Sequence, residues 1–141
     1  CLSRGLGDVY KRQHIKNVRT VNDWLTRDEA VVDEYNAGKL TTFLFTVNGY
    51  RGLMNMILYV RKPRNIERIP KNLPMLMISG LDDPVGEYGK GVYRAYNSYH
   101  GHIDDIDLRL YEDCRHELCN ELNKEEIYEE IYGWIMNHMS K

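Results

Sequence analysis

Two residues of this chain could do chemistry together: an aspartate and a histidine, each just past a predicted strand. Asp83 follows the apolar run Met75-Leu76-Met77-Ile78, within Ser79-Gly80-Leu81-Asp82-Asp83-Pro84-Val85. His116 follows Leu108-Arg109-Leu110-Tyr111, within Tyr111-Glu112-Asp113-Cys114-Arg115-His116-Glu117-Leu118-Cys119-Asn120-Glu121. A carboxylate that accepts the Nδ1–H of an imidazole fixes its tautomer and stabilises its charged form. An imidazole held that way can take the proton of a hydroxyl nucleophile. Acid first and histidine second, each on a loop after a strand, is one known chain order of a Ser, Asp and His triad. The nucleophile that should precede them is not here. The serines are Ser3, Ser79, Ser98 and Ser140, and none sits between glycines as Gly-x-Ser-x-Gly.

The elements that must position this pair belong to one domain, the number that 141 residues suit. The net charge of -2 predicts no strong pull toward nucleic acid or an anionic membrane. Arg61, Lys62, Arg64, Arg68 and Lys71 cluster, but Pro63, Pro70 and Glu67 interrupt them, so a solvated linker is expected. No apolar run reaches the roughly 18 residues of a membrane span. No secretory signal is visible.

Three cysteines are too few for a disulfide framework, and reduced thiols of a cytoplasmic protein are expected. Cys114-x-His116-x-x-Cys119 lacks a fourth ligand at any standard zinc spacing. His100-x-His102 is expected to be a surface turn. No metal or cofactor is expected.

Residues 1–13 read as foreign. Cys-Leu-Ser-Arg-Gly-Leu-Gly-Asp-Val-Tyr-Lys-Arg-Gln resembles translated sequencing-adapter sequence, so the segment is set aside from fold reasoning. A foreign start implies a gene interrupted upstream of residue 14.

A helix is predicted from about Asn22 to Tyr35, with Thr26 and Glu29 as a capping box and Trp24, Val31, Val32 and Tyr35 on its apolar side. A second is predicted from about Thr46 to Tyr59. There Val47, Tyr50, Leu53, Met54, Ile57 and Leu58 follow the helical spacing. That stripe reads as core first and as an acyl-facing lid surface second. Prolines 63, 70 and 74 should end helix formation. Leu73 to Ser79 then reads as a strand buried on both faces of a parallel sheet.

A helix from Gly86 to about His100 carries Val92, Ala95, Tyr96 and Tyr99 on one side. Ile106, Leu108 and Leu110 alternate with Asp107, Arg109 and Tyr111, a period-2 strand toward a sheet edge. Asn123 and Glu126 resemble a capping box for a last helix that buries Ile127, Ile131, Trp134 and Ile135, with Met139 on the same face.

A strand–helix–strand unit with parallel strands crosses over right-handed. Loops leaving the carboxyl ends of both strands open on one sheet edge, where α/β enzymes place ligands. Asp83 and His116, 33 positions apart, can meet there.

From about Asn22 onward the chain resembles the carboxyl-terminal half of serine-dependent α/β-hydrolases of the lysophospholipase and monoacylglycerol-lipase type, grouped with the serine aminopeptidase-like hydrolases. Three motifs carry the resemblance. Leu73-Pro74-Met75-Leu76-Met77-Ile78-Ser79-Gly80 is similar to the family's penultimate core strand. Asp83-Pro84-Val85-Gly86 is similar to its acid turn. Arg115-His116-Glu117-Leu118-Cys119-Asn120-Glu121 is similar to its histidine loop, Arg-His-Glu-x-x-Asn-Glu. Trp24-Leu25-Thr26-Arg27-Asp28 also resembles the end of the family's cap.

The resemblance implies Asp83 and His116 as the catalytic acid and base. Asp82 competes one position away, but the Gly-x-x-Asp spacing from Gly80 favours Asp83. The implied fold is α/β: the carboxyl-terminal part of an α/β-hydrolase sheet, two parallel strands with flanking helices. Residues 14–72 would be a helical cap remnant and linker, and residues 73–141 part of the core. The implied function is a truncated carboxylic-ester hydrolase of lipid esters, inactive alone because its nucleophile and oxyanion hole lie upstream. The alternatives are a peptidase or small-ester esterase on the same scaffold, a hydrolase with an Asp nucleophile, and a non-catalytic interaction module. A nucleic-acid module is a distant last reading. With upstream strands missing, marginal stability and association through an open sheet edge are expected.

Overall fold

The structure, a computed structural model, describes residues 9–41 and 43–139. Ser3, Ser140 and most of the adapter-like segment lie outside the described residues.

Two parallel strands form the frame. β1 (Met75–Gly80) and β2 (Ile106–Tyr111) pair in register from Met75 opposite Ile106 to Gly80 opposite Tyr111. Lys90–His100 is the crossover helix between them. Met75 to Ile78 are half-buried, and only Ser79 and Gly80 of β1 are fully covered. The expectation of a strand buried on both faces is therefore corrected for this chain. Among the described residues β1 has one neighbouring strand. The period-2 reading of β2 holds at its start, where Ile106 is buried and Asp107 is exposed.

Five α-helices are described with their bounds: α1 (Glu29–Ala37), α2 (Val47–Val60), α3 (Pro63–Ile66), α4 (the crossover) and α5 (Lys124–Met139). The Thr26–Glu29 capping box does not form, and α1 begins later than the spacing suggests. Asp28 is the cap, its carboxylate accepting from the N–H groups of Ala30 and Val31. Thr26 instead donates its hydroxyl to the carbonyl of Asn120 at 2.7 Å. Its oxygen also accepts Asp28 N–H at 3.1 Å, so Thr26 serves the turn before the helix rather than the cap.

Thr46 caps α2 as its position suggests, accepting from Gly49 N–H at 3.1 Å. The apolar stripe of α2 is not core in this chain. Val47 is 85% and Leu58 62% exposed, and no residue of the helix is buried. Pro63 does not end helix formation but starts α3, because a first helical turn does not use the N–H that proline lacks. The basic residues 61, 62, 64, 68 and 71 are all exposed, as a solvated segment requires.

α4 starts four residues later than expected. The chain first passes through a turn with positive φ at Glu87, Tyr88 and Gly89. Gly89, at φ +82, is the one of the three with no Cβ to strain.

α5 packs over the histidine loop. Ile127 is fully buried and clusters with Cys114 and Leu118, against which Ile78, Tyr111 and Ile131 also rest. Ile131 and Trp134 are half-buried, whereas Ile135 and Met139 stay exposed, so the buried side of α5 is narrower than its periodicity suggests. The Asn123–Glu126 box is also corrected. Asn123 Oδ1 accepts from Arg27 Nη2 at 2.7 Å and from the Cys114 thiol. At the far end of α5, Trp134 Nε1 donates to Asp107 at 2.6 Å and His138 pairs with Asp105 at 3.3 Å. These bonds tie the helix to the start of β2. His102 Nε2 bonds the Ile69 carbonyl at 2.7 Å, which occupies one nitrogen of the His100-x-His102 pair.

Candidate active site

The two strands end side by side, and their following loops fold over that edge. Gly80 closes β1 so tightly that an added Cβ would lie 2.0 Å from the Cys114 carbonyl oxygen and 2.3 Å from that of Arg115. Only glycine admits this approach. Leu81 N–H donates to the Tyr111 carbonyl and Asp82 N–H to the Cys114 carbonyl, which stitches the acid loop to the histidine loop.

These contacts bring Asp83 and His116 together. His116 Nδ1 lies 3.1 Å from Asp83 Oδ2. The other carboxylate oxygen, Oδ1, accepts Val85 N–H at 2.8 Å, the Asx turn that Asp-Pro-Val builds. Asp83 is buried, at 5% exposure, whereas the His116 side chain is 37% exposed. Asp82, the neighbour that competed for the acid role, is exposed and engages the histidine loop only through its backbone. Among the described residues none hydrogen-bonds His116 Nε2, so that nitrogen is open to an incoming proton donor.

The hydrogen bond to Asp83 raises the imidazole above its ordinary value. Partial burial opposes this, the charges of Asp83 and Glu117 add to it, and Lys11 opposes it weakly. The sign follows from linkage. A raised folded-state value means that the pair's stabilising contribution is complete below the unfolded histidine value, about 6.5. The contribution is lost as pH rises through the folded-state value.

The histidine loop is anchored from below by a buried carboxylate. Glu121 is fully buried and accepts Arg115 N–H at 2.7 Å and Arg27 Nε at 2.8 Å. The N–H groups of Arg27 and Leu122 lie at 3.3 Å from it. Arg115 in turn donates to the carbonyls of Asp23 and Thr26, and Glu117 N–H donates to that of Leu25. Removing one partner of such a buried ion pair typically costs about 3–5 kcal/mol. Trp24, on the same 20–28 segment, sets its ring 5.0 Å from the imidazole, tilted by 49°. The sequence pointed neither to Glu121 as the anchor of the histidine loop nor to Trp24 as a neighbour of the imidazole. The signal available was the spacing Arg115 to Glu121 across the histidine, which places one loop's two ends in reach of each other.

Neither described serine hydrogen-bonds the imidazole. Ser79 is buried and donates to the Gly80 carbonyl, and Ser98 donates to Arg94 on α4. Cys114 does not substitute. Burial, with Glu121 nearby, pushes its thiol up, which keeps it protonated and inert.

Three comparisons with known proteins bear on this arrangement. The family described as serine aminopeptidase, S33, matches residues 1–123. That match takes in the adapter-like segment, whose described residues Tyr10 and Lys11 rest on the rings of Tyr88 and Trp24. No curated protein matches the chain. Among solved structures, a highly thermostable carboxyl esterase from Bacillus coagulans in complex with glycerol is similar with a TM-score of 0.75 and 24% identity. That likeness covers 92% of this chain and 41% of the esterase. A lipase in its open form is similar with a TM-score of 0.82 and 20% identity, over 99% of this chain and 46% of the lipase. The chain thus spans less than half the length of these two structures, and at such identities the likeness speaks to the fold alone. With the family match over most of its residues, the chain belongs to the serine aminopeptidase, S33, family, the serine hydrolases of the α/β-hydrolase fold.

Proposed function

We propose that this chain supplies the acid and the histidine of a Ser-His-Asp triad in an ester hydrolase of lysophospholipids or monoacylglycerols. The observation that carries the reading is the 3.1 Å contact between Asp83 and His116 at the carboxyl ends of adjacent parallel strands, with Nε2 left open. In the complete enzyme a serine hydroxyl gives its proton to His116 Nε2 as its oxygen attacks the ester carbonyl. His116 then passes that proton to the leaving alcohol, and water repeats the sequence to release the acid. Asp83 keeps Nδ1 protonated and stabilises the imidazolium that forms.

The lipid class rests on α2. Its exposed Val, Leu, Met and Ile side chains are what a cap segment facing an acyl chain requires, which supports reading residues 14–72 as a helical cap remnant and linker. Residues 73–141 are assigned to the core. A second reading, a peptidase on the same scaffold, draws on the family description as serine aminopeptidase.

The 141-residue chain alone has no elbow serine. An oxyanion hole built beside that serine is absent with it, and losing even one of its donors costs roughly 10²–10³ in rate. Incubation with a fluorophosphonate probe should therefore label no serine. Stoichiometric labelling would overturn the proposed division of the triad. This chain covers 41% and 46% of the two solved structures, and the residue at the strand-to-helix elbow of the full-length protein distinguishes a serine hydrolase from an Asp-dependent one or from a non-catalytic module.

A further inference from the structure

We propose that Glu121 is a positioning residue for His116. Its buried carboxylate holds the Arg115 N–H and the Arg27 side chain, and so fixes the loop on which the imidazole meets Asp83. The inference rests on the triad reading and goes beyond it, because Glu121 touches neither His116 nor the open Nε2.

The geometry has three parts. First, Glu121 Oε1 takes the N–H of Arg115, the residue directly before His116, at 2.7 Å. The Cys114–Arg115 peptide unit held there fixes the Cα of Arg115, one residue before the Cα that carries the imidazole. Second, Oε2 takes Arg27 Nε at 2.8 Å, while Arg27 Nη2 reaches Asn123 at 2.7 Å. The carboxylate thereby clamps the 20–28 segment against the start of α5. Third, that same segment carries Trp24, whose ring rests against the imidazole, and Leu25, whose carbonyl accepts the N–H of Glu117 at 2.7 Å. The residues before and after His116, and its ring, are all held from one cluster centred on Glu121. A fully buried carboxylate is costly unless every lone pair is used. Here Arg27, Arg115 and Leu122 supply the donors that use them. A side chain that served packing alone would be better as an apolar residue of the same volume.

The test is the rate at which diethyl pyrocarbonate modifies His116 as a function of pH, read by peptide mapping of the full chain at low protein concentration. Only neutral imidazole reacts, so the midpoint of the profile reports how firmly Asp83 holds the ring. Asp83, Glu117 and Lys11 are the charged groups around it. In Asp83→Asn the midpoint should fall to that of an unpaired histidine. Glu121→Gln keeps an acceptor for Arg115 N–H but loses the charge facing Arg27. It should move the midpoint most of the way to the Asp83→Asn value, without a matching loss of secondary structure. Ser98→Ala removes an exposed hydrogen bond to the Arg94 carbonyl on α4, outside this cluster, and should leave the midpoint unchanged.

A Glu121→Gln midpoint equal to wild type, with the Asp83→Asn midpoint displaced, would overturn the positioning role while leaving the Asp83–His116 pair intact. If Asp83→Asn also left the midpoint in place, the triad reading itself would fall. Should Glu121→Gln not fold, Arg27→Lys, which keeps the charge but loses the Nε bond, is measured instead. A shift in the same direction is expected there, and no shift overturns the role.

Discussion

Asp83→Asn will lower kcat about 10⁴-fold when these residues act beside a serine nucleophile, and KM will hardly move. Asparagine has the shape of aspartate and can still take the Val85 N–H that now binds Oδ1 at 2.8 Å. What it loses is specific to the chemistry. Its amide can turn its N–H toward His116 Nδ1, which stabilises the wrong tautomer. Its oxygen carries no charge to offset the imidazolium. An effect confined to kcat marks an interaction used in the transition state rather than in substrate binding. His116→Ala should fall as far, and the double variant little further, because the two residues act as a unit. Asp82→Asn, one position away and solvent-exposed, should leave kcat within a few-fold of wild type. Steady-state kinetics of the full-length enzyme on a chromogenic ester separate these outcomes. An Asp83→Asn enzyme within tenfold of wild type would mean that another carboxylate serves the histidine.

Gly80→Ala should cost about 3 kcal/mol, the upper end of ordinary overpacking. The atoms that a new Cβ would strike, at 2.0 and 2.3 Å, are carbonyl oxygens of Cys114 and Arg115. They are backbone, so no side-chain rotation relieves the clash. The strand end and the histidine loop must separate, and with them the bond from Asp82 N–H to the Cys114 carbonyl. Against a typical domain stability of about 5–15 kcal/mol this is a large fraction. The urea midpoint should fall with the slope unchanged. Gly52→Ala is the control. It lies within α2 with open space around its Cβ, and alanine there should be neutral or stabilising by about 0.5–1 kcal/mol. Equal effects at the two positions would mean that the close approach at Gly80 contributes nothing.

The parts of the fold that were legible in the sequence are those written in short-range pattern. The apolar run before Gly80 specifies a strand by its shortness between Pro74 and Gly80, and the alternation from Ile106 to Tyr111 does so because a strand's faces repeat every two residues. One helical pattern between two strands implies the parallel pairing that aligns Met75 with Ile106. The loops after both strands follow from that pairing, and with them the placing of Asp83 and His116 on one edge.

The misread parts depend on partners far away in sequence. Thr26 and Asn123 both carry side chains suited to a helix cap. Thr26 instead accepts Asp28 N–H and donates to Asn120, and Asn123 bonds Arg27 and Cys114. A cap is worth only about 1 kcal/mol, so a buried long-range network outweighs it. Glu121 was equally invisible as a partner of Arg27, 94 positions away. The stripe of α2 was read correctly as amphipathic but wrongly as core first. Periodicity reports that a face is apolar, not what covers it.

Proton transfer through the pair requires that the neutral imidazole of His116 carry its proton on Nδ1. Long-range ¹H–¹⁵N correlation spectra of the histidine-labelled chain, recorded across pH in dilute solution, read both the tautomer and the titration midpoint. A neutral form protonated at Nδ1, toward Asp83, is expected, with a midpoint above the ordinary histidine value that drops in Asp83→Asn. A neutral form protonated at Nε2, titrating at the ordinary value in both proteins, would contradict the triad reading.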